Sequence, residues 1–250
     1  MKHFLRAATF ALLLGACIGQ STGNGQIQTQ ARTVGAFTQV QNKSALSVTV
    51  TPGVTSVSVT ADSNIQPLIT TVVNGGKLVI DLTQNFTSSL PLSVAVTTPT
   101  LTGIDDQGSG TLSATGFTAG DFNIDLAGSG AESFQGTAAT LTLNSSGSGA
   151  VQLTGSATGL QATMDGSGSV DGTGFRVVGP AHVLLRGSGG ARLVLQGDSS
   201  LEVDGAGSLT VALDGGTTNF TVSGSGEILW SGQTTVGQTS VTGSGSVQHQ

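Results

Sequence analysis

Apolar and polar residues alternate in short runs along most of the chain, and glycine-rich turns separate the runs. In the second half, mainly apolar residues stand four and two positions before a Gly-Ser-Gly triplet, and again two positions after it. A period of two residues is typical of a β-strand with one buried face. The pattern therefore predicts that one half-buried strand enters each triplet and that another leaves it.

The triplets recur at an almost constant interval. There are seven Gly-Ser-Gly copies and one Gly-Ala-Gly, separated by 20, 19, 19, 21, 18, 19 and 19 residues. A fixed period indicates a solenoid, and about 19 residues is too short for a β-α-β crossover. We predict an all-β fold, a parallel β-helix in which each triplet is a tight corner, because glycine reaches positive φ without penalty. The first glycines of the corners are Gly108, Gly128, Gly147, Gly166, Gly187, Gly205, Gly224 and Gly243.

Residues 32–107 lack the triplet but keep the alternation. Pro52-Gly53 and Asn74-Gly75-Gly76 are turn sequences between alternating runs, so each predicts a strand, a turn and a strand. No linker separates this region from the triplets. We therefore predict one domain over residues 32–250, with an N-terminal β region at 32–107 that supplies the first rungs and a cap, and the triplet repeats at 108–250.

The first residues have the composition of a secretory signal. Residues 1–16 combine a basic start with an apolar run too short to span a bilayer as a helix. The sequence "LGAC" resembles the lipobox of bacterial lipoproteins, which predicts lipidation at Cys17, the single cysteine of the chain. Ile18 is not the aspartate linked to inner-membrane retention, so we expect an outer-membrane lipoprotein. Residues 17–31 are polar and predict a flexible tether.

Several stretches occur in a characteristic order: "RTVGAFTQVQ", "ITTVVNGGKLVIDL", "LPLSVAVTTPTLTGIDDQGSG", the repeated triplets and "GSGEILWSG". From residue 32 onward the chain resembles the bacterial head GIN domain family, described as the head of auto-transporter adhesins and otherwise of unknown function. The resemblance implies a right-handed parallel β-helix with an N-terminal β region in an exported protein. It brings no catalytic residues. One departure is Trp230, where relatives tend to have tyrosine.

Charge and histidine content limit the chemistry. The formal net charge is −6, and without the signal 6 basic residues stand against 14 acidic ones, with no basic stripe that could bind nucleic acid. His182 and His249 lack partners at metal-ligand spacing, and the loop that starts at Asp165 lacks the glycine and glutamate of a calcium loop. We therefore expect no metal site and no cofactor.

Three charged residues share one outward column in consecutive rungs: Asp165, Arg186 and Asp204. They could be an acid-base site of a polysaccharide-active enzyme or a structural ladder of alternating charge. Intervals of 18–21 residues leave no room for the loops that build a catalytic cleft, which favours the ladder.

Two further sets of residues stand out in the repeat pattern. Asp171 and Arg192 share a neighbouring outward column, beside Ser169 and Gly190, and the acids Asp106 and Glu132 interrupt the inward apolar columns. The end of the regular region or a capping hydrogen bond could account for Asp106, and a local bulge at "AESF" is the one explanation that the sequence offers for Glu132.

The sequence thus predicts an exported, lipid-anchored β-helix in the cell envelope. We expect a non-catalytic structural or adhesin-like module, held on the membrane by its lipid and able to bind envelope polysaccharide or protein through its polar ladder faces. A polysaccharide-active enzyme is one alternative. A self-assembling scaffold is another, because the last rung, "GSGSVQHQ", has no visible cap and open solenoid ends can pair with another chain.

Overall fold

The structure is a computed structural model, and it describes residues 20–250. Within that range the chain is almost entirely β-strand, with one 3-10 turn at Gln66–Leu68. None of its described helical segments is long and apolar enough to cross a membrane. The N-terminal region holds nine strands: β1 Ser21–Thr22, β2 Ile27–Arg32, β3 Gln39–Asn42, β4 Ser47–Pro52, β5 Ser56–Asp62, β6 Ile69–Asn74, β7 Lys77–Leu82, β8 Phe86–Thr87 and β9 Ser93–Thr98.

The repeat region forms the stacked rungs that the triplet spacing predicts. Its strands pair in parallel with those one rung before and after, so that Ile104, Ile124 and Leu143 lie in one column. The prediction of a parallel β-helix with rungs of about 19 residues is confirmed. The strands are β10 Gly103–Asp106, β11 Thr111–Leu126, β12 Ala131–Ser145, β13 Ala150–Met164, β14 Ser169–Val177, β15 Ala181–Gly187, β16 Gly190–Leu195, β17 Ser199–Gly205, β18 Ser208–Gly224, β19 Glu227–Gly243 and β20 Ser246–His249.

The core runs through the middle of the stack. The inward columns predicted from the alternation are buried except at the last turn, and most of their members are aliphatic. Aromatic rings fill one segment of the interior, where Phe122 and Phe134 stack with ring centroids 4.2 Å apart. Because successive rungs contribute equivalent residues, each layer buries the apolar face of its neighbour, and the rungs depend on one another for stability.

The N-terminal region supplies one rung without a triplet and then closes that end of the stack. Strands β3 and β4 flank a corner at residues 43–46 and pair in parallel with β10 and β11 of the first triplet rung. On their other side they pair with β7 and β9. Strands β5 and β6 add to β9 and β7 in antiparallel fashion, and β2 adds to β5. The predicted turn at Asn74-Gly75-Gly76 is present, with φ of 58° and 79° at the two glycines.

The prediction of a flexible tether over residues 17–31 is wrong for the part that the structure describes. Ile27–Arg32 forms β2 against β5, and Ser21–Thr22 pairs with β8. The Asp62 carboxylate accepts a hydrogen bond from the Gly25 N–H at 2.7 Å. Polar side chains suit an exposed edge strand, because its stability comes from backbone hydrogen bonds. The predicted signal peptide at 1–16 and Cys17 lie outside the described residues.

Candidate functional site: the corners and the groove beside them

The corner glycines are required by close packing more than by backbone conformation. A Cβ placed on Gly187, Gly205 or Gly224 lies only 2.5–2.6 Å from the carbonyl oxygen of the equivalent corner glycine one rung below, and the remaining corners are tighter still. Our expectation of positive φ holds only for the last four corners, at Gly187, Gly205, Gly224 and Gly243. At the first four, glycine is needed because a side chain has no room.

The corners continue the hydrogen-bond ladder from rung to rung. The N–H of Ser129 donates to the Gly108 carbonyl at 3.1 Å, and the N–H of Ser225 donates to the Gly205 carbonyl at 2.9 Å. The seven serine side chains are exposed, and within residues 20–250 their hydroxyls form no hydrogen bonds with one another. The corners therefore present a row of free hydroxyl groups to solvent.

Asp106 faces the interior because it caps the first triplet corner. Its Oδ1 accepts a hydrogen bond from the Gly108 N–H at 2.9 Å. Asn42 stands directly below it and makes the same bond to the Ser44 N–H at 3.1 Å. The side chain is fully buried, and its Oδ2 has no hydrogen-bond partner within the described chain. Burial raises the pKa of Asp106 to about 6, although the Gly108 hydrogen bond opposes the shift.

Glu132 is the most unusual inward residue. It stacks between Leu112 and Val151, is 2% exposed, and neither of its carboxyl oxygens has a hydrogen-bond partner among residues 20–250. Burial, with a smaller contribution from the negative charge of Asp106, raises the pKa of Glu132 to about 9. At neutral pH this side chain is therefore a buried carboxylic acid.

A shallow groove runs beside the corners on the outside of the solenoid. It consists of three adjoining hollows with volumes of about 410, 400 and 420 Å³. We call it the corner groove, and its floor is the column of small residues that follow the last glycine of the first six triplets. The six residues of that column are Thr111, Ala131, Ala150, Ser169, Gly190 and Ser208.

One end of the corner groove carries charge. Asp171 and Arg192 are register partners in the next outward column, and both line the hollow that also contains Ser208 and Thr210. Asp171 Oδ1 accepts hydrogen bonds from the Thr173 hydroxyl at 2.7 Å and from the Thr173 N–H at 3.0 Å, and these bonds lower the pKa of Asp171. The carboxylate is thus fixed in position and ionised.

A bulge next to Asp171 accounts for part of the longest interval of the repeat. The register of β14 shifts against β13 after Asp171, so that residues 172–173 lie opposite Leu153, and it shifts again against β16 before Arg176. The sequence indicates that Asp171 and Arg192 share a column, but the hollow around them depends on the small side chains beside it and is visible only in three dimensions.

The predicted ladder of Asp165, Arg186 and Asp204 is only partly formed. Arg186 Nη1 lies 3.2 Å from Asp165 Oδ1, and both side chains are about half exposed, at 53% and 46%. Arg186 and Asp204 are register partners in β15 and β17, yet they are not among the ion pairs within residues 20–250. The hollows of the corner groove are lined by other residues.

The two histidines of the repeat region lie apart from these features. His182 is exposed in β15, and the His249 ring stacks on Trp230 with centroids 4.0 Å apart. Within residues 20–250, no three His, Cys, Asp or Glu side chains are grouped so that they could hold a metal ion.

Comparison with known proteins now places the chain in a family. The family model described as "Putative auto-transporter adhesin, head GIN domain" matches residues 36–212, so the chain belongs to the head GIN domain family. This confirms the resemblance seen in the sequence. No curated protein matches the chain.

Solved structures share the fold at low sequence identity. A "putative adhesin" from Parabacteroides distasonis ATCC 8503 is 20% identical, with a TM-score of 0.80 over 93% of this chain and 100% of that one. A "putative adhesin" from Bacteroides fragilis NCTC 9343 is 20% identical, with a TM-score of 0.71 over 92% and 99%. A "putative lipid binding protein" from Parabacteroides distasonis ATCC 8503 is 19% identical, with a TM-score of 0.66 over 93% and 100%.

Proposed function

We propose that this head GIN domain protein is an exported, non-catalytic binding module of the cell envelope that holds an extended polysaccharide in the corner groove. The observation that carries the proposal is the groove itself, which crosses six rungs without interruption. With rungs about 4.8 Å apart, six rungs cover roughly 25 Å along the solenoid axis, enough for several sugar units in a row. The adhesin descriptions of the family and of two solved structures agree with a binding role.

The chemistry of the groove suits a sugar polymer. Its surface combines the free hydroxyls of four corner serines with a larger area of apolar atoms, and the two suit the hydroxyl groups and the C–H faces of a glycan. Asp171 and Arg192 supply charged hydrogen-bonding groups at one end, and hydrogen bonds to charged partners are the stronger ones. A repeated surface that meets a repeated ligand gains affinity through many weak contacts.

The position of the first strands bears on how the module is anchored. If Cys17 carries a diacylglycerol as the lipobox predicts, only residues 18–20 separate it from Ser21, where pairing begins. Three residues span at most about 11 Å, so the capped N-terminal end of the solenoid would stay close to the outer membrane. The triplet rungs would then extend away from it. Multiple acyl chains hold a protein stably on a bilayer.

A glycan-binding assay tests the proposal. Protein spanning residues 20–250, which contains every described strand, is titrated with polysaccharides prepared from the cell envelope. We expect Arg192→Gln and Asp171→Asn each to weaken binding about tenfold or more, as expected for loss of one charge-assisted hydrogen bond. Arg186→Gln is the matched control, because Arg186 is also exposed but lies outside the groove.

Two results would count against this function. Absence of binding to any envelope glycan or protein would remove the binding role and leave only a scaffold. Equal weakening by Arg192→Gln and Arg186→Gln would show that binding depends on overall charge and not on the corner groove.

A polysaccharide-active enzyme remains the competing hypothesis, because the register does bring Asp165, Arg186 and Asp204 into one column. A catalytic acid at this position needs Asp165 or Asp204 near a bound sugar. The test is depolymerisation of envelope glycans by the native protein and by Asp165→Ala and Asp204→Ala. Cleavage that either substitution abolishes would replace our proposal, whereas unchanged activity would exclude this column as its source.

A further inference from the structure

The last turn of the solenoid has one open edge. Strand β19 pairs with β18 along most of its length, but on its other side only Glu227–Trp230 are paired, with β20. From residue 231 to residue 243, and along β20, no strand within residues 20–250 lies on the outer side. The N–H and C=O groups that point outward there are free to pair with another chain.

Apolar side chains of the core are also partly exposed at this end. Val241 stands above Val222 in the same column, and its exposed fraction is 45% where that of Val222 is 1%. Val236 stands above Thr218 and is 48% exposed where Thr218 is fully buried. Val247 and Trp230 pack only partly against the core. We call the outer edges of residues 231–243 and of β20, together with Val236, Val241 and Val247, the terminal face.

The opposite end of the stack is closed. The antiparallel strands β2, β5 and β6 close that end, and the apolar residues Phe37, Ile65 and Ile69 of the N-terminal region are at most 4% exposed. That end therefore presents no open parallel rung. It offers the polar antiparallel edge strand β2 instead, so a second copy placed there would not continue the parallel stack.

The terminal face lacks the usual protection of a free edge. Natural edge strands commonly carry lysine, proline or other charged residues that prevent pairing with another chain. Residues 228–250 contain no Asp, Glu, Lys, Arg or Pro, although the chain as a whole has a net charge of −6. Two copies that approach through this face therefore bring uncharged strand segments together.

We propose that the terminal face binds the terminal face of a second copy, so that two solenoids join end to end around a two-fold axis. The two β19 edges would then pair in antiparallel fashion and cover Val236 and Val241 of both copies. A contact of this kind uses the same patch on both partners and closes on itself, so it gives a dimer and not a fibre. Residues 230–250 number 21, within the roughly 20–30 residues that each partner contributes to a standard interface.

Sedimentation and small-angle scattering test the inference on protein spanning residues 20–250. We expect a reversible monomer–dimer equilibrium in which the dimer is elongated, with about twice the maximum dimension of the monomer. Val236→Lys should raise the dimer dissociation constant about tenfold or more, because it places two like charges in a contact shielded from water. Val178→Lys is the matched control, since Val178 is 50% exposed and lies away from the terminal face.

The thermal midpoint of each variant separates loss of pairing from loss of folding, and both lysine variants should keep the midpoint of the isolated native monomer. Three outcomes would overturn the inference: a monomer at all concentrations, growth into open-ended filaments, or a dimer that Val178→Lys weakens as much as Val236→Lys. Because the inference does not depend on glycan binding, either proposal can fail while the other stands.

Discussion

The first corners and the later corners of this solenoid satisfy their backbone groups in different ways. At the corner that follows Asn42, and at the one that follows Asp106, a buried side chain accepts the hydrogen bond of the turn. At the second and third triplets the N–H groups of Gly128 and Gly147 donate instead to backbone carbonyls of the rung below, and the residues in the Asp106 column include Leu126 and Met164. Once identical corners are stacked, the backbone satisfies itself and the interior can be apolar.

Glu132 fits neither arrangement, because it caps no corner and yet places a polar group in the interior. It lies on the second triplet rung, where no cap is needed, and its carboxyl group accepts or donates no hydrogen bond within the described chain. Burying a polar group without a partner costs free energy, and the column around it is otherwise suited to aliphatic side chains. Asn42 and Asp106 are thus buried polar residues that complete the hydrogen bonds of a corner, whereas Glu132 only destabilises the interior.

The largest effect is expected from a side chain added to a stacked corner. In Gly147→Ala, the new Cβ would overlap the carbonyl oxygen of Gly128, and because both groups belong to the backbone, neither can move without breaking the ladder. We expect the free energy of unfolding to fall by about 3–5 kcal/mol, as for other severe packing defects. Urea denaturation followed by circular dichroism measures it.

Gly120→Ala is the control for this change. Gly120 lies in β11, and a Cβ at that position has no atom within 4 Å. We expect its effect to stay within about 0.5 kcal/mol. Similar losses for both alanines would mean that glycine matters for flexibility rather than for the close approach of rungs.

The second-largest effect is the pH dependence that Glu132 gives to the free energy of unfolding. Its pKa is about 9 in the folded protein and 4.5 when exposed, so the folded state holds the proton more tightly. The cost of burying this group is therefore smallest below about pH 4.5 and grows as the pH rises toward 9. At about 1.4 kcal/mol per unit, the free energy of unfolding should fall by roughly 2–4 kcal/mol between pH 5 and pH 8.

Glu132→Leu should remove most of this decline and raise stability at pH 8 by a similar amount, since Leu112 and Val151 flank the position in the same column. Glu202→Leu, on the outward face of β17, should leave the pH dependence in place. Denaturation at a series of pH values compares the three proteins. An equally steep decline in Glu132→Leu would contradict the buried acid as its source.

A smaller effect is expected at Asp106. Asp106→Asn should keep the hydrogen bond to the Gly108 N–H, because Asn42 already makes that bond one rung below. It should be at least as stable as the native protein at pH 7. Asp106→Ala removes the acceptor and should be about 1–2 kcal/mol less stable than the asparagine variant. If alanine and asparagine proved equivalent, the capping role would be wrong.

Repetition explains how much of the fold the sequence could predict. The triplet interval and the two-residue alternation predict rungs, corners and inward columns, because each signal recurs eight times. The antiparallel closure by Ile27–Arg32 was missed, since a single polar edge strand has no such signal. The caps could have been predicted from the sequence, because Asn42 and Asp106 each stand two residues before a turn residue, the spacing of an Asx turn.

The candidate site was less predictable for a physical reason. The column shared by Asp171 and Arg192 follows from the repeat alignment, but the corner groove exists because six small side chains lie side by side across rungs, and no single stretch of sequence shows that. The interpretation of Asp165, Arg186 and Asp204 as a ladder identified the ion pair between the first two residues. Register alone does not determine whether the side chains of Asp204 and Arg186 adopt the rotamers that an ion pair between them needs.

The smallest effect should separate ion pairs in the two regions. Arg186→Gln breaks a pair that is about half exposed, where solvent screens the attraction, so we expect a loss below about 0.5 kcal/mol. Lys77→Gln in the N-terminal region should cost more, about 1 kcal/mol, because Lys77 lies 2.9 Å from Asp105, whose carboxylate is 11% exposed and also bonds Gln41 at 2.6 Å. Thermal unfolding at low and high salt measures both, and salt should reduce only the Arg186 effect. Equal losses would mean that side-chain ion pairs contribute as much to stability in the stacked rungs as in the N-terminal region. The difference between the two regions would then be limited to the hydrogen bonds of the corners.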